Sequence, residues 1–127
     1  MRQLRKPLSL KTANANKSHD LPIVAVDFDG TLVHNKYPFI ENPNLSLIAF
    51  IKSNFDKYIW ILWTCRHDEQ LEYAVDYMAK EHGILFDYIN ANAPWLIEQY
   101  GDCRKVSADY YIDDRNISLV ELQGGSK

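Results

Sequence analysis

Hydrophobic and polar positions along the chain fall into runs of two kinds. Residues 22–27, Pro-Ile-Val-Ala-Val-Asp, are continuously apolar and β-branched and close on a carboxylate. Such a run predicts a strand buried on both faces of a parallel sheet, since a strand with one wet face would alternate. Residues 58–64, ending in Thr64, predict a second strand of the same kind. Between them Asn42, Pro43 and Asn44 offer an N-cap with proline at the first helical position, and residues 45–55 are apolar enough for a largely buried helix. Over residues 68–82, Leu71, Ala74, Val75 and Met78 recur at offsets of three and four, the stripe of an amphipathic helix, and Gly83 is placed to cap its end. Residues 86–90 predict a short third strand, 94–100 a short helix and 108–113 a fourth strand. Residues 117–122 fit strand and helix equally.

Strands that alternate with helices require right-handed crossovers and a parallel sheet. The expected fold is therefore an α/β, Rossmann-like open parallel sheet with helices on both faces. Ligands of such sheets bind outside the carboxyl ends of the strands. Three of the four expected strands end in polar residues there: Asp27 with Asp29, Thr64 with Arg66, and Asp113 with Asp114.

Composition adds bounds. A chain of 127 residues, 46% hydrophobic and 24% charged, has the size of one compact domain. The expectation is a single domain over residues 21–127, preceded by a flexible tail over 1–20. Cys65 and Cys103, with no second pair, give neither a zinc motif nor a disulfide framework, so a reducing cytoplasm is the expected setting. No apolar run approaches the ~20 residues of a membrane helix, and the opening lacks the apolar stretch of a secretory signal. The net charge of −3 hides a split: residues 1–20 carry five basic side chains against Asp20, so the remainder is acidic. An acidic body disfavours broad binding to nucleic-acid backbones and suits carboxylates that hold a cation.

Asp27-Phe28-Asp29-Gly30-Thr31 sets two carboxylates two residues apart where an apolar strand meets a glycine turn. Turn chemistry alone would account for Asp-Gly. Four fixed letters, however, arise by chance in a chain of this length only at a frequency on the order of 10⁻³. Carboxylates at the end of a hydrophobic strand are also costly unless paired or metal-bound. Asp113-Asp114 repeats the arrangement, and like charges gather at one strand edge only where a cation or proton is shared. A hard, oxygen-lined Mg²⁺ site is expected.

Asp27-Phe-Asp-Gly-Thr-Leu32, a hydrophobic strand ending in Thr64, then Lys105, then Tyr111-Ile-Asp-Asp114, resembles the four ordered motifs of the haloacid dehalogenase-like hydrolase superfamily. The resemblance spans residues 22 to about 117. It implies a Mg²⁺-dependent phosphatase with Asp27 as nucleophile, Asp29 as general acid/base, and Thr64 and Lys105 as phosphoryl-oxygen ligands. The implied metal site takes in Asp27, Asp29, Asp113 and Asp114, with Asp27 charged on the ion and the Asp29 carboxyl off it, able to hold a proton. Lys105 stands only eight residues before Asp113 and is followed by Val106, where small relatives usually have proline. Lys80 and Arg104 are poorer substitutes for it.

Neither the stretch between Thr31 and Asn42 nor that between Thr64 and Lys105 has room for the cap domain many relatives carry. An uncapped site is covered by a large substrate or by a neighbouring subunit of a homo-oligomer. Gly30, Thr31, Cys65, Arg66, His67 and Arg115 are the expected substrate contacts, with His34 and Lys36 also on the rim; Cys65 reads mainly as packing. The phosphorylated substrate itself is not specified. A sugar phosphate, a nucleotide and a nucleic-acid end all stay open, the last supported only by the basic opening. The alternatives are a phosphoacceptor regulatory domain and an inactive phosphate-binding module. A receiver-type domain would place its acidic pair first and its acceptor aspartate later, the reverse of the order here.

Overall fold

The computed structural model describes residues 10–13, 16–101 and 106–113. Four strands, β1 (Ile23–Val26), β2 (Ile59–Leu62), β3 (Tyr88–Ile89) and β4 (Tyr110–Ile112), form one sheet in the order β3-β2-β1-β4. Every pairing is parallel, as the continuous apolar runs require. Helices α1 (Leu45–Ser53), α2 (Asp68–His82) and α3 (Pro94–Tyr100) make the crossovers, and a single 3₁₀ turn, Phe55–Lys57, follows α1.

The alternation of side chains along each strand divides the core in two. Val24, Val26, Trp60 and Leu62 pack with Ile48 and Ile51 of α1 and with Leu71, Ala74, Val75 and Met78 of α2. Ile23, Ala25, Ile59 and Ile61 face the other way, with Ala93 and Val106 and with Trp95 and Leu96 of α3. Helices thus cover both faces of an open α/β sheet. Among the described residues, the connections from β1 to β2 and from β2 to β4 contain no further element that could form a cap.

Two local expectations need correction. Asn44, not Asn42, caps α1, its side chain accepting from the Leu47 N–H at 3.2 Å, while Asn42 adopts a positive φ and bonds the His34 carbonyl. Leu45 and Phe50 are exposed, so α1 is buried along Ile48 and Ile51 rather than throughout.

The described part of residues 1–20 is docked, not a free tail. Leu10 packs against the larger core and Ala13 donates its N–H to the Phe86 carbonyl at 2.9 Å. Lys17 Nζ donates to the carbonyls of Phe55 and Tyr58 and to Asp87 Oδ2, at 2.7, 2.8 and 2.8 Å, and lies over the Phe55 ring. His19 stacks on Trp95 with ring centroids 3.7 Å apart. In the sequence Lys17 and His19 fall within the expected tail; here each has an aromatic or anionic partner that only the fold supplies.

Candidate active site

The sheet order makes the chain reverse direction at β1, where the first crossover leads to β2 on one side and the last strand returns as β4 on the other. A crevice opens at such a switch point, at the carboxyl ends of the strands. Val26 is in register with Leu62 on one side and Ile112 on the other. One residue further on, Asp27 donates its N–H to the Ile112 carbonyl at 3.0 Å, and Trp63 donates to Val26 at 2.8 Å. Backbone register therefore carries Asp27 and Asp113 to neighbouring positions, with Trp63 and Thr64 ending the strand on the far side.

After Asp27 the chain turns sharply. Gly30, at φ 84°, donates its N–H to the Val33 carbonyl at 2.8 Å, and Leu32 donates to the Phe28 carbonyl at 2.9 Å. The positive φ is the reason glycine stands there. Asp27 Oδ1 accepts from the N–H of Phe28 at 2.8 Å, which fixes that carboxylate at the mouth of the turn. Thr31 is only 6% exposed. Gly30 and Thr31 build this turn.

Asp29 and Arg66 meet in a two-pronged ion pair. Arg66 Nε donates to Asp29 Oδ2 and its Nη2 to Oδ1, both at 2.8 Å. The Arg66 side chain is fully buried, whereas that of Asp29 is 30% exposed. The expectation that Arg66 meets the substrate is thereby corrected: a buried guanidinium requires a carboxylate partner, and Asp29 is that partner. The same bonds engage both oxygens of the Asp29 carboxylate, while Asp27 and Asp113 stand side by side at the strand ends.

Thr64 is held from both sides. Its N–H donates to Asn90 Oδ1 at 2.8 Å, and its Oγ1 accepts from the Arg66 N–H at 3.1 Å. Asn90, with φ 51° at the end of β3, was not among the expected site residues; an asparagine directly after a strand, where a left-handed turn is needed, was the available signal. Cys65 and His67 are exposed in the loop that leads into α2, so Cys65 is not a packing residue. His34 and Lys36 are exposed as well. Lys80 lies in the last turn of α2, about 18 Å along the helix from its start, and so does not replace Lys105. Lys105, Arg104, Asp114 and Arg115 lie outside the described residues. Among the described residues, no three His, Cys, Asp or Glu side chains gather closely enough to hold a metal ion, and no helix is long and apolar enough to cross a membrane.

Fold and crevice together define an open, all-parallel α/β domain with acidic residues at its switch point. Comparison with family models and with curated proteins gives no match. Among solved structures, a conserved protein from Bacteroides thetaiotaomicron matches with a TM-score of 0.67 and 35% identity, over 77% of this chain and 79% of that one. The chain belongs to the same family as that conserved protein.

Proposed function

We propose that the protein is a Mg²⁺-dependent phosphomonoester hydrolase in which Asp27 attacks phosphorus and forms an aspartyl-phosphate. The observation that carries this reading is the placement of Asp27 next to Asp113 on adjacent strands at the switch point, with Thr64 ending the strand on the other side. Two carboxylates brought together by backbone register are stabilised by a shared cation. Hard oxygen donors of this kind suit Mg²⁺, so Asp27 and Asp113 are the residues that would hold it, joined in the sequence pattern by Asp114. Bound there, the ion would counter the charge of the phosphoryl group and so let an anionic nucleophile approach it. The order of Asp27, Thr64, Lys105 and Asp113 along the chain, similar to that of haloacid dehalogenase-like hydrolases, supports the same reading.

In this reading an Asp27 oxygen forms a bond to phosphorus as the ester oxygen departs with the bonding pair and takes a proton from Asp29. Water then gives a proton to Asp29 and splits the acyl phosphate, releasing inorganic phosphate and restoring Asp27. The Thr64 hydroxyl, accepting from the Arg66 N–H, keeps its own proton to donate to a phosphoryl oxygen. Two cysteines without a disulfide framework accord with a cytosolic enzyme. The test uses p-nitrophenyl phosphate. Turnover is expected to require Mg²⁺ and to vanish in Asp27→Asn, whose amide is a poor nucleophile; turnover that survives EDTA or that substitution rules the mechanism out.

A further inference from the structure

We propose that Arg66 is a positioning residue that fixes the orientation of the Asp29 carboxylate, on which departure of the leaving group depends. The proposal rests on the reading of the site as a phosphohydrolase. It starts from a buried charge: the Arg66 side chain has no exposed surface, a placement that is costly for a cation unless it is paired and its donors are satisfied.

Each freedom of the guanidinium is used. The fork to Asp29, two bonds of 2.8 Å, sets its rotation in the plane. The ring of Phe28 lies 5.0 Å from Cζ and that of Tyr37 lies 4.8 Å from it, so two aromatic rings lie against the group. Nη1 reaches the Gln70 carbonyl and side-chain oxygens at 3.5 and 3.4 Å, which ties the group to the first turn of α2. The backbone N–H of Arg66 donates to Thr64 Oγ1. One residue thus joins the turn after β1, the end of β2, the start of α2 and the loop that bears Tyr37.

Within the pair, only Asp29 has exposed surface to offer a substrate. A carboxyl group has about four lone-pair positions and the fork occupies two, so Asp29 keeps a position for the proton that the leaving group takes while its rotation is stopped. Without Arg66, Asp29 would turn freely about its Cα–Cβ and Cβ–Cγ bonds. A misplaced acid/base group loses rate at the step it serves while substrate affinity is little altered.

The test compares phenyl phosphate with p-nitrophenyl phosphate, for the wild-type protein and for Arg66→Ala, Arg66→Lys, Asp29→Asn and the Asp29→Asn/Arg66→Ala double variant. Arg66→Ala is expected to lower kcat on phenyl phosphate by about 100-fold, the scale of a lost acid/base contribution. The loss on p-nitrophenyl phosphate is expected to be smaller, because that phenolate departs with less help. KM is expected to stay within about twofold for both substrates. Arg66→Lys, which keeps the charge and loses the fork, is expected to fall between, and free guanidinium to restore part of the rate of Arg66→Ala. In the Asp29→Asn background, loss of Arg66 is expected to cost no more than about twofold, since the two residues act as a unit.

A raised KM with kcat preserved would show that Arg66 touches the substrate and would overturn the proposal. Equal losses for the two leaving groups, or the same factor lost with and without Asp29, would overturn it as well. If Arg66→Ala does not fold, Arg66→Lys carries the same comparison of leaving groups and the same double-variant cycle. No turnover by the wild-type protein would overturn the reading of the site, and the proposal with it. Wild-type turnover with any of the contrary patterns overturns the proposal alone.

Discussion

Register sets Asp113 beside Asp27 at the strand ends, and in the proposed reading the two share a cation. That makes Asp113 the direct probe of a cation at the crevice. Asp113→Asn keeps the shape and removes one charged donor. It should raise the Mg²⁺ concentration for half-maximal turnover by at least about tenfold, since even changes one shell further out weaken metal sites that much. Part of the lost rate should return at high Mg²⁺; an unchanged Mg²⁺ requirement would remove Asp113 from the metal site. Asp27 and Asp113 were legible in the sequence because a buried strand that closes on a carboxylate is conspicuous against its apolar run. Arg66 was not. Its position after Thr64 is visible in the sequence, but its burial depends on Phe28, Tyr37 and Asp29, which come from another part of the chain.

Helix α2 follows its sequence from end to end. The apolar stripe at Leu71, Ala74, Val75 and Met78 is buried, and Gly83 ends the helix in the left-handed region at φ 68°, its N–H bonded to the Ala79 carbonyl at 3.1 Å. A Cβ at Gly83 would meet nothing within 4 Å, so the cost of Gly83→Ala is conformational alone. It should lower stability by about 1 kcal/mol, as read in chemical denaturation, and leave turnover unchanged. A markedly larger loss would mean that the turn into β3 also depends on glycine. Helix α3 was equally legible, since Pro94 opens it at the first position. The cap of α1 was less so, because Asn42 and Asn44 carry the same side chain and only the turn at Val33 decides which one reaches the helix. For the asparagines after β3 the sequence hid the partners: Asn90 holds Thr64, and Asn92 accepts from the Ser107 N–H, each across a gap in sequence that only the fold closes.

At the scale of the whole molecule, the described amino-terminal residues are packed onto the domain. Lys17 reaches the edge of the sheet opposite the crevice, where Asp87 Oδ2 accepts both from Lys17 Nζ and from the Trp60 N–H at 2.8 Å. The Asp87 side chain has no exposed surface and that of Lys17 is 13% exposed. Composition alone favoured a solvated tail over residues 1–20, because a basic, weakly periodic stretch offers little apolar area. Among its contacts is a lysine whose anionic partner stands 70 residues away, a distance at which sequence patterns are silent. Removing the cation while leaving the buried carboxylate should therefore cost more than the area lost: Lys17→Met is expected to destabilise the protein on the order of 3 kcal/mol, the scale for breaking a largely buried pair. Deleting residues 1–20 should lower the melting temperature at least as much. The double variant Lys17→Met/Asp87→Asn should be less unstable than the sum of the single changes, because the second removes the charge that the first strands. Thermal and denaturant unfolding of the wild type, the deletion, Lys17→Met, Asp87→Asn and the double variant measure this directly. An unchanged melting temperature on deletion, or strict additivity of the pair, would show that the segment rests on the domain without holding it.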